Sequence, residues 1–278
     1  MKTNRVSHSG STRRTVLAIV SFVVLVGGAT AVFLGYHRLR ALTLEQSVLE
    51  DVDAQVSVVG ANMVRPGIIL DELGLVKGAN LAEMDFPKCR ETLLRRIPNI
   101  RAVTITRKQP NGLRIAVEER KPLVRMNVPG GKSSTGRVAD VDGVVFYCSK
   151  NTQNLPVVRE NAAAVTRPGG RLTPRGLAAV RLVDLCRDGD FQSLGLLEVD
   201  ITKSDYLFAT LSNYSRAKIA WEGMDDPPSE KQHDNLVYQI EHLIKAIGSN
   251  VLQGAVIWNA TDTSRPCCIY ADKSQSVL

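Results

Sequence analysis

Several features that announce a catalyst or a nucleic-acid platform are scarce in this 278-residue chain, and each scarcity removes a class of function. Histidine occurs at His8, His37, His233 and His242 only; the last pair stands nine positions apart, which is no metal-ligand spacing. Neither HExxH nor GxSxG occurs, so the zinc-hydrolase and nucleophile-elbow signatures are absent. "GGKSS" at Gly130 to Ser134 imitates a phosphate loop, but Met126 stands where the earlier glycine belongs. Five scattered cysteines, Cys89, Cys148, Cys186, Cys267 and Cys268, make no disulfide framework, and adjacent Cys267 and Cys268 suit disulfide geometry poorly, so free thiols are expected. No cofactor and no small-molecule substrate is implied by any of these patterns.

Long apolar runs are also rare, with one exception. Val16 to Leu34 carries no charge, and about 19 helical residues at about 1.5 Å each nearly match a hydrocarbon core of about 30 Å. Lys2, Arg5, Arg13 and Arg14 precede it, while Glu45, Glu50, Asp51 and Asp53 come after it. That bias predicts a cytoplasmic tail at 1–14, a membrane span at 15–36, a linker at 37–53, and everything later outside. The competing reading is a cleaved signal peptide, because Ala29-Thr30-Ala31 resembles a small-residue cleavage site; the run exceeds the usual h-region of about 7 to 15 residues, which favours the anchor.

Positive charge, by contrast, is abundant, and it is concentrated. Between Lys88 and Arg125 eleven Lys and Arg face three Glu, enough to carry the whole net charge of +7. This stretch includes "RRIPNIRAVTITRKQPNGLRIAVEERKP", Arg95 to Pro122, in which no aromatic residue occurs, so a base-stacking platform is excluded. The remaining readings are a solvated face, or contact of Arg95, Arg96, Arg107 and Lys108 with lipid headgroups or an acidic partner.

The periodicity predicts an α+β protein of two outer modules. In the first, "AQVSVVG" (Ala54 to Gly60) alternates like a half-buried strand. Pro66, Ile69, Leu73 and Gly74 mark a short helix; Asp85 caps a second, whose stripe is Phe86, Cys89, Leu93 and Ile97. Val103 and Ile105, then Leu113, Ile115 and Val117, mark two strands across Pro110-Asn111-Gly112. The order is β-α-α-β-β. In the second module "VADVDGVVFYC" is a hairpin across Asp142-Gly143 rather than a calcium loop, since later ligand positions are missing. Beyond it come a helix near Pro174 to Arg187, a strand at "LGLLEVDI", an alternating tract from Tyr206 to Trp221, and an amphipathic helix on Leu236, Ile240, Leu243, Ile244 and Ile247. Two last strands are expected at Ala255 to Asn259 and Cys267 to Ala271.

The strand ending at Gly60, then "LGLVKGANL", "IPNIRAVTITRKQP" and "LRIAVEERKP" together resemble the POTRA domain of the FtsQ/DivIB family of bacterial division proteins. The later "DGVVF" and Leu155-Pro156 extend the likeness. The resemblance implies a POTRA domain at 54–125 and, at 126–278, a mixed α/β domain with an extended, largely antiparallel sheet. It implies a non-enzymatic, single-pass protein of the inner (cytoplasmic) membrane, N-terminus inside, gathered at the division septum. Its partners would be other bitopic division proteins, FtsB/DivIC-like and FtsL-like, the former adding a strand at the last strands, where Trp258, Cys268, Ile269 and Tyr270 are the candidate contacts. No nucleic-acid partner is expected. Two rival readings are a POTRA protein of outer-membrane assembly or secretion, which needs a β-barrel or repeats not found here, and a periplasmic hydrolase with an unrecognised site.

Overall fold

The computed structural model describes residues 25–28, 30–36, 38, 47–108, 111–127, 136–161, 165–187, 189–221, 230–248, 257–261 and 267–269. Residues 25–28 and 30–36 are helical. Among the described residues no helix is long and apolar enough to cross a membrane. Half of the expected span, Val16 included, lies outside them; Leu34 is helical and exposed. The GGKSS stretch also lies outside.

The first module grows from short, sharply capped elements. Asp51 accepts hydrogen bonds from the Asp53 and Ala54 amides and starts a one-turn helix, α1 (Val52–Gln55). Gln55 Oε1 in turn accepts from the Glu50 and Asp51 amides. Local capping therefore claims Ala54 and Gln55, and strand β1 (Val56–Val59) begins later than its valine alternation suggests. Gly60 ends it at φ +87, where a Cβ would stand 2.1 Å from the Val117 carbonyl oxygen, so only glycine fits.

Helix α2 (Pro66–Glu72) opens on its proline and buries Ile69. Helix α3 (Phe86–Arg96) is capped by Asp85, buries Leu93, and ends on Arg95 and Arg96, cations that the carbonyl end of a helix favours. Strand β2 (Ile100–Lys108) and strand β3 (Gly112–Glu119) pair antiparallel, and β1 joins β3 in parallel, giving the order β1-β3-β2. Both helices cover one face, where Leu93, Ile100, Leu113 and Ile115 are fully buried. This is the expected β-α-α-β-β order.

The second module is a nine-stranded sheet in the order β12-β11-β10-β9-β8-β7-β4-β5-β6. Its strands are β4 (Val124–Asn127), β5 (Arg137–Ala139), β6 (Val145–Tyr147), β7 (Val157–Arg159), β8 (Leu196–Asp200), β9 (Leu207–Leu211), β10 (Arg216–Ile219), β11 (Ile257–Ala260) and β12 (Cys267–Ile269). Five of its eight neighbouring pairs are antiparallel. The parallel pairs β7/β8 and β10/β11 need crossovers, supplied by α4 (Pro174–Arg187) and α5 (Glu230–Gly248).

Helix α4 is apolar almost all round, with Leu177, Ala178, Val180, Leu182 and Val183 buried, as befits a helix at the centre of a core. Helix α5 buries a single stripe, Leu236, Ile240 and Leu243. Both pack with the inward residues of the strands into one cluster, from Val124 and Met126 to Trp258. The other face of the sheet carries the alternate residues, among them Phe208 beneath Arg216 and Tyr206 beneath Lys218.

Candidate functional site

A sheet of nine strands has two borders, and the chain treats them differently. At the β6 border three of the outward-facing backbone groups are already engaged. The Val145 amide donates to Gly170 O at 2.9 Å, Val145 O accepts from the Gly169 amide at 2.7 Å, and Tyr147 O accepts from Asn99 Nδ2 of the first module at 2.7 Å. The strap carrying Gly169 and Gly170 is fastened by a buried ion pair. Arg137 donates to Glu160 at 2.7 Å and to Thr166 O at 2.6 Å, and Glu160 accepts from the Thr166 amide. Burying both charges is tolerable because each meets the other and both bond to Thr166, although Arg137 Nε is buried without a partner.

Among the described residues the β12 border has no such cover. Strand β12 pairs with β11 alone, through Ile257↔Ile269, Trp258↔Cys268 and Asn259↔Cys267, and among the described residues nothing pairs with its outer side. Of the four candidate contacts, Trp258 lies on β11 and is buried, its side chain within the core. It sits one strand in from the border, paired with Cys268. Cys268 and Ile269 lie on β12 itself, while Tyr270 lies outside the described residues.

The basic stretch proves to be several things. Arg95 and Arg96 end α3, beside the start of β2, whereas Arg107 and Lys108 end β2, so the length of that strand, about 27 Å, separates the two pairs. They do not form one patch. Arg107 donates to the Ser47 hydroxyl, and Arg96 lies 3.9 Å from Glu72. Arg125 Nε donates to Leu155 O at 3.0 Å, and Arg120, mostly buried, donates to Asp140 at 2.6 Å. Much of the positive charge is thus spent inside the fold, on partners far away in sequence. That is why Asn99, Glu119, Arg120 and Asp140 do not stand out from the residue string; the only local hint is that acidic Asp140 sits in the hairpin turn with Asp142.

The same geometry turns the apparent catalytic arrangements into structural ones. Ser215-Arg216-Ala217-Lys218 has SxxK spacing, which on a helix brings serine and lysine together. Here it runs along β10, where Ser215 is buried and donates to Asn213 Oδ1 at 2.6 Å, while Lys218 lies over Tyr206 on the open face. A cleft of about 280 Å³ between the modules is lined by Arg101, Glu118, Glu119, Lys121, Asp140 and Asp184 among others. Glu119 accepts from the Met63 and Val64 amides, Asp140 binds Arg120, Glu118 lies 3.7 Å from Arg101, and Asp184 lies 3.3 Å from Arg187. Each carboxylate has a structural occupation. Among the described residues no cluster of His, Cys, Asp and Glu is placed to hold a metal ion. Cys89, Cys148 and Cys186 are free thiols, as expected, although Cys89 is half-buried; burial raises its thiol pKa, with the nearby Asp85 charge adding to the shift.

Comparison with known proteins agrees with this architecture. Residues 53–120 match the family model described as "POTRA domain, FtsQ-type". The chain is also similar to the cell division protein FtsQ of Streptomyces collinus, 29% identical over 158 residues, 56% of this chain and 54% of that protein. The chain therefore spans about half the length of the curated relative it matches. The first module is thus an FtsQ-type POTRA domain, it leads into a large mixed sheet, and the similarity to an FtsQ cell division protein runs well beyond the POTRA residues.

Proposed function

We propose that this protein is a non-enzymatic, single-span scaffold of the bacterial division machinery. It captures a partner by strand addition at the β12 border and thereby helps to control septal wall synthesis. The apolar run at 15–36 anchors it in the inner membrane, with the two modules outside, at the septum. The partners are bitopic division proteins of the FtsB/DivIC and FtsL type. The observation that carries this reading is the asymmetry of the large sheet: one border is covered by the chain's own strap and by Asn99, and among the described residues β12 pairs on one side only. An unpaired strand supplies a row of amides and carbonyls that a second chain can satisfy, and its alternating side chains select which chain.

The same alternation gives the test. Along a strand, successive residues point their backbone groups to opposite sides, so the N–H of Cys268 faces one way and those of Cys267 and Ile269 the other. Proline placed at each of the three in turn removes one amide at a time. The position or positions whose amide faces outward should lose partner capture in cells, read by crosslinking from β12, while septal localisation and the folded state persist. Capture that survives all three prolines would end the strand-addition reading. Depletion of the protein should leave filaments with unfinished septa.

A further inference from the structure

The covalent link between the modules is short: β3 ends at Glu119 and β4 begins at Val124. A short link alone still permits a hinge, but the non-covalent contacts beside it do not lie on one axis. On one side, Met63 of the first module reaches the open face of the large sheet and packs on Val138, Phe146 and Cys148, with its Sδ 3.6 Å from Cys148 Sγ. The loop that presents Met63 is itself held, because the Glu119 carboxylate accepts from the Met63 and Val64 amides, both at 2.8 Å. Lys150 Nζ adds a bond to Asn62 O at 3.0 Å.

On the other side, Arg120 joins both modules through one guanidinium. Its Nε donates to Pro98 O at 3.1 Å, and its Nη1 donates to Asp140 Oδ2 at 2.6 Å. Asp140 is almost wholly buried, and its other oxygen accepts from the Val144 amide at 2.9 Å, so the acceptor cannot swing to follow a moving partner. Arg101 Nε lies 3.1 Å from Asp142, and Asn99 closes the β6 border between the two. An apolar knob and a buried ion pair at separate points resist rotation in different directions.

We propose that the two modules form one rigid arm, with Met63 and Arg120 as the positioning residues that fix where the β12 border points. The functional meaning rests on the docking reading above; the rigidity does not. Strand β6, on the side of the first module, is eight strand steps from β12, a reach of about 38 Å at about 4.8 Å per step. Slack of about 20° at the joint would carry the border through about 13 Å, which exceeds the tolerance of any hydrogen bond. The arm therefore presents its partner at a set distance and angle from the membrane-proximal module.

The test uses the full chain in lipid nanodiscs, with spin labels placed through an unnatural amino acid at Thr106 and Ser212, both exposed, so that native thiols stay untouched. Pulsed dipolar spectroscopy should return one narrow distance distribution for the wild type and for Met63→Leu, which refills the cluster. Met63→Asp and Arg120→Ala should broaden it at least twofold with unchanged circular dichroism. Where either fails to fold, Met63→Ala and Asn99→Ala serve as milder substitutes. A broad distribution in the wild type, or a narrow one in every disruptive variant, overturns the rigid arm. In cells, joint variants that still capture the partner yet fail to complete septa are the expected outcome. Normal division with a demonstrably loosened joint would refute the positioning role. Failure of the wild type to capture any strand would instead remove the docking reading and leave the arm standing.

Discussion

At the scale of single residues, the clearest electrostatic consequence sits far from either border. Cys186 is buried on α4, and that burial pushes its thiol up to about 12 from an ordinary value of 9.0. A folded-state value raised above the unfolded one means that the stabilisation is complete below pH 9 and is lost as pH rises towards 12, because only the unfolded chain gains a thiolate in that window. The slope is at most about 1.4 kcal/mol per pH unit from this group. Urea melts of the wild type and Cys186→Ala at about pH 8 and about pH 11 should differ in their pH dependence, the wild type losing more. Equal losses in the two proteins would show that the thiol stays protonated in both states or that its pocket opens. The apolar setting of Cys186 beside Leu182 and Leu185 is visible in the sequence. The Arg120–Asp140 pair is not, because a contact across twenty positions leaves no period in the string.

At the scale of elements, the features that the chain announces locally are the ones that form locally. Helix α4 runs over Pro174–Arg187 as its composition predicts, and the β5/β6 hairpin turns at Gly143, with φ +73, where Asp-Gly predicts it. The parallel registers of β1 with β3, and of β7 with β4 and β8, have no local signature, since the partner strand is chosen by crossovers and by the core behind them. The strap over β6 belongs to this second kind. It hangs on Glu160, which faces Arg137 in a buried setting, so Glu160→Gln leaves a buried guanidinium without its counter-charge. The expected cost is about 3 kcal/mol or more. The amides of Val145 and Gly169, which bond across the strap, should exchange with solvent markedly faster, while those of β2 and β3 stay protected. Uniformly faster exchange in both modules would mean that the strap is no separate element and that the loss is global.

At the scale of the whole molecule, the two borders predict opposite outcomes for two truncations that differ by a few residues. Ending the chain after Thr261 removes β12 together with the C-terminal tail but keeps β11, whose Trp258 and Ala260 are buried in the large core. Ending it before Ile257 removes β11 as well, stripping the α5 crossover of the strand it leads to and uncovering β10. Burial of a large side chain such as Trp258 is worth about 2 to 3 kcal/mol, and a single domain has only about 5 to 15 kcal/mol of net stability. The longer truncation product should therefore fold, reach the membrane and fail to capture its partner; the shorter one should lose much of its stability and be degraded. Immunoblotting of steady-state levels beside partner crosslinking separates these outcomes. If the chain ending at Thr261 still captured its partner, the newly bared β11 border would have to be substituting for β12, and a further proline at Asn259 would decide it. If that chain were degraded instead, β12 would be a structural strand of the core sheet, and the site of partner capture would have to lie elsewhere on the molecule.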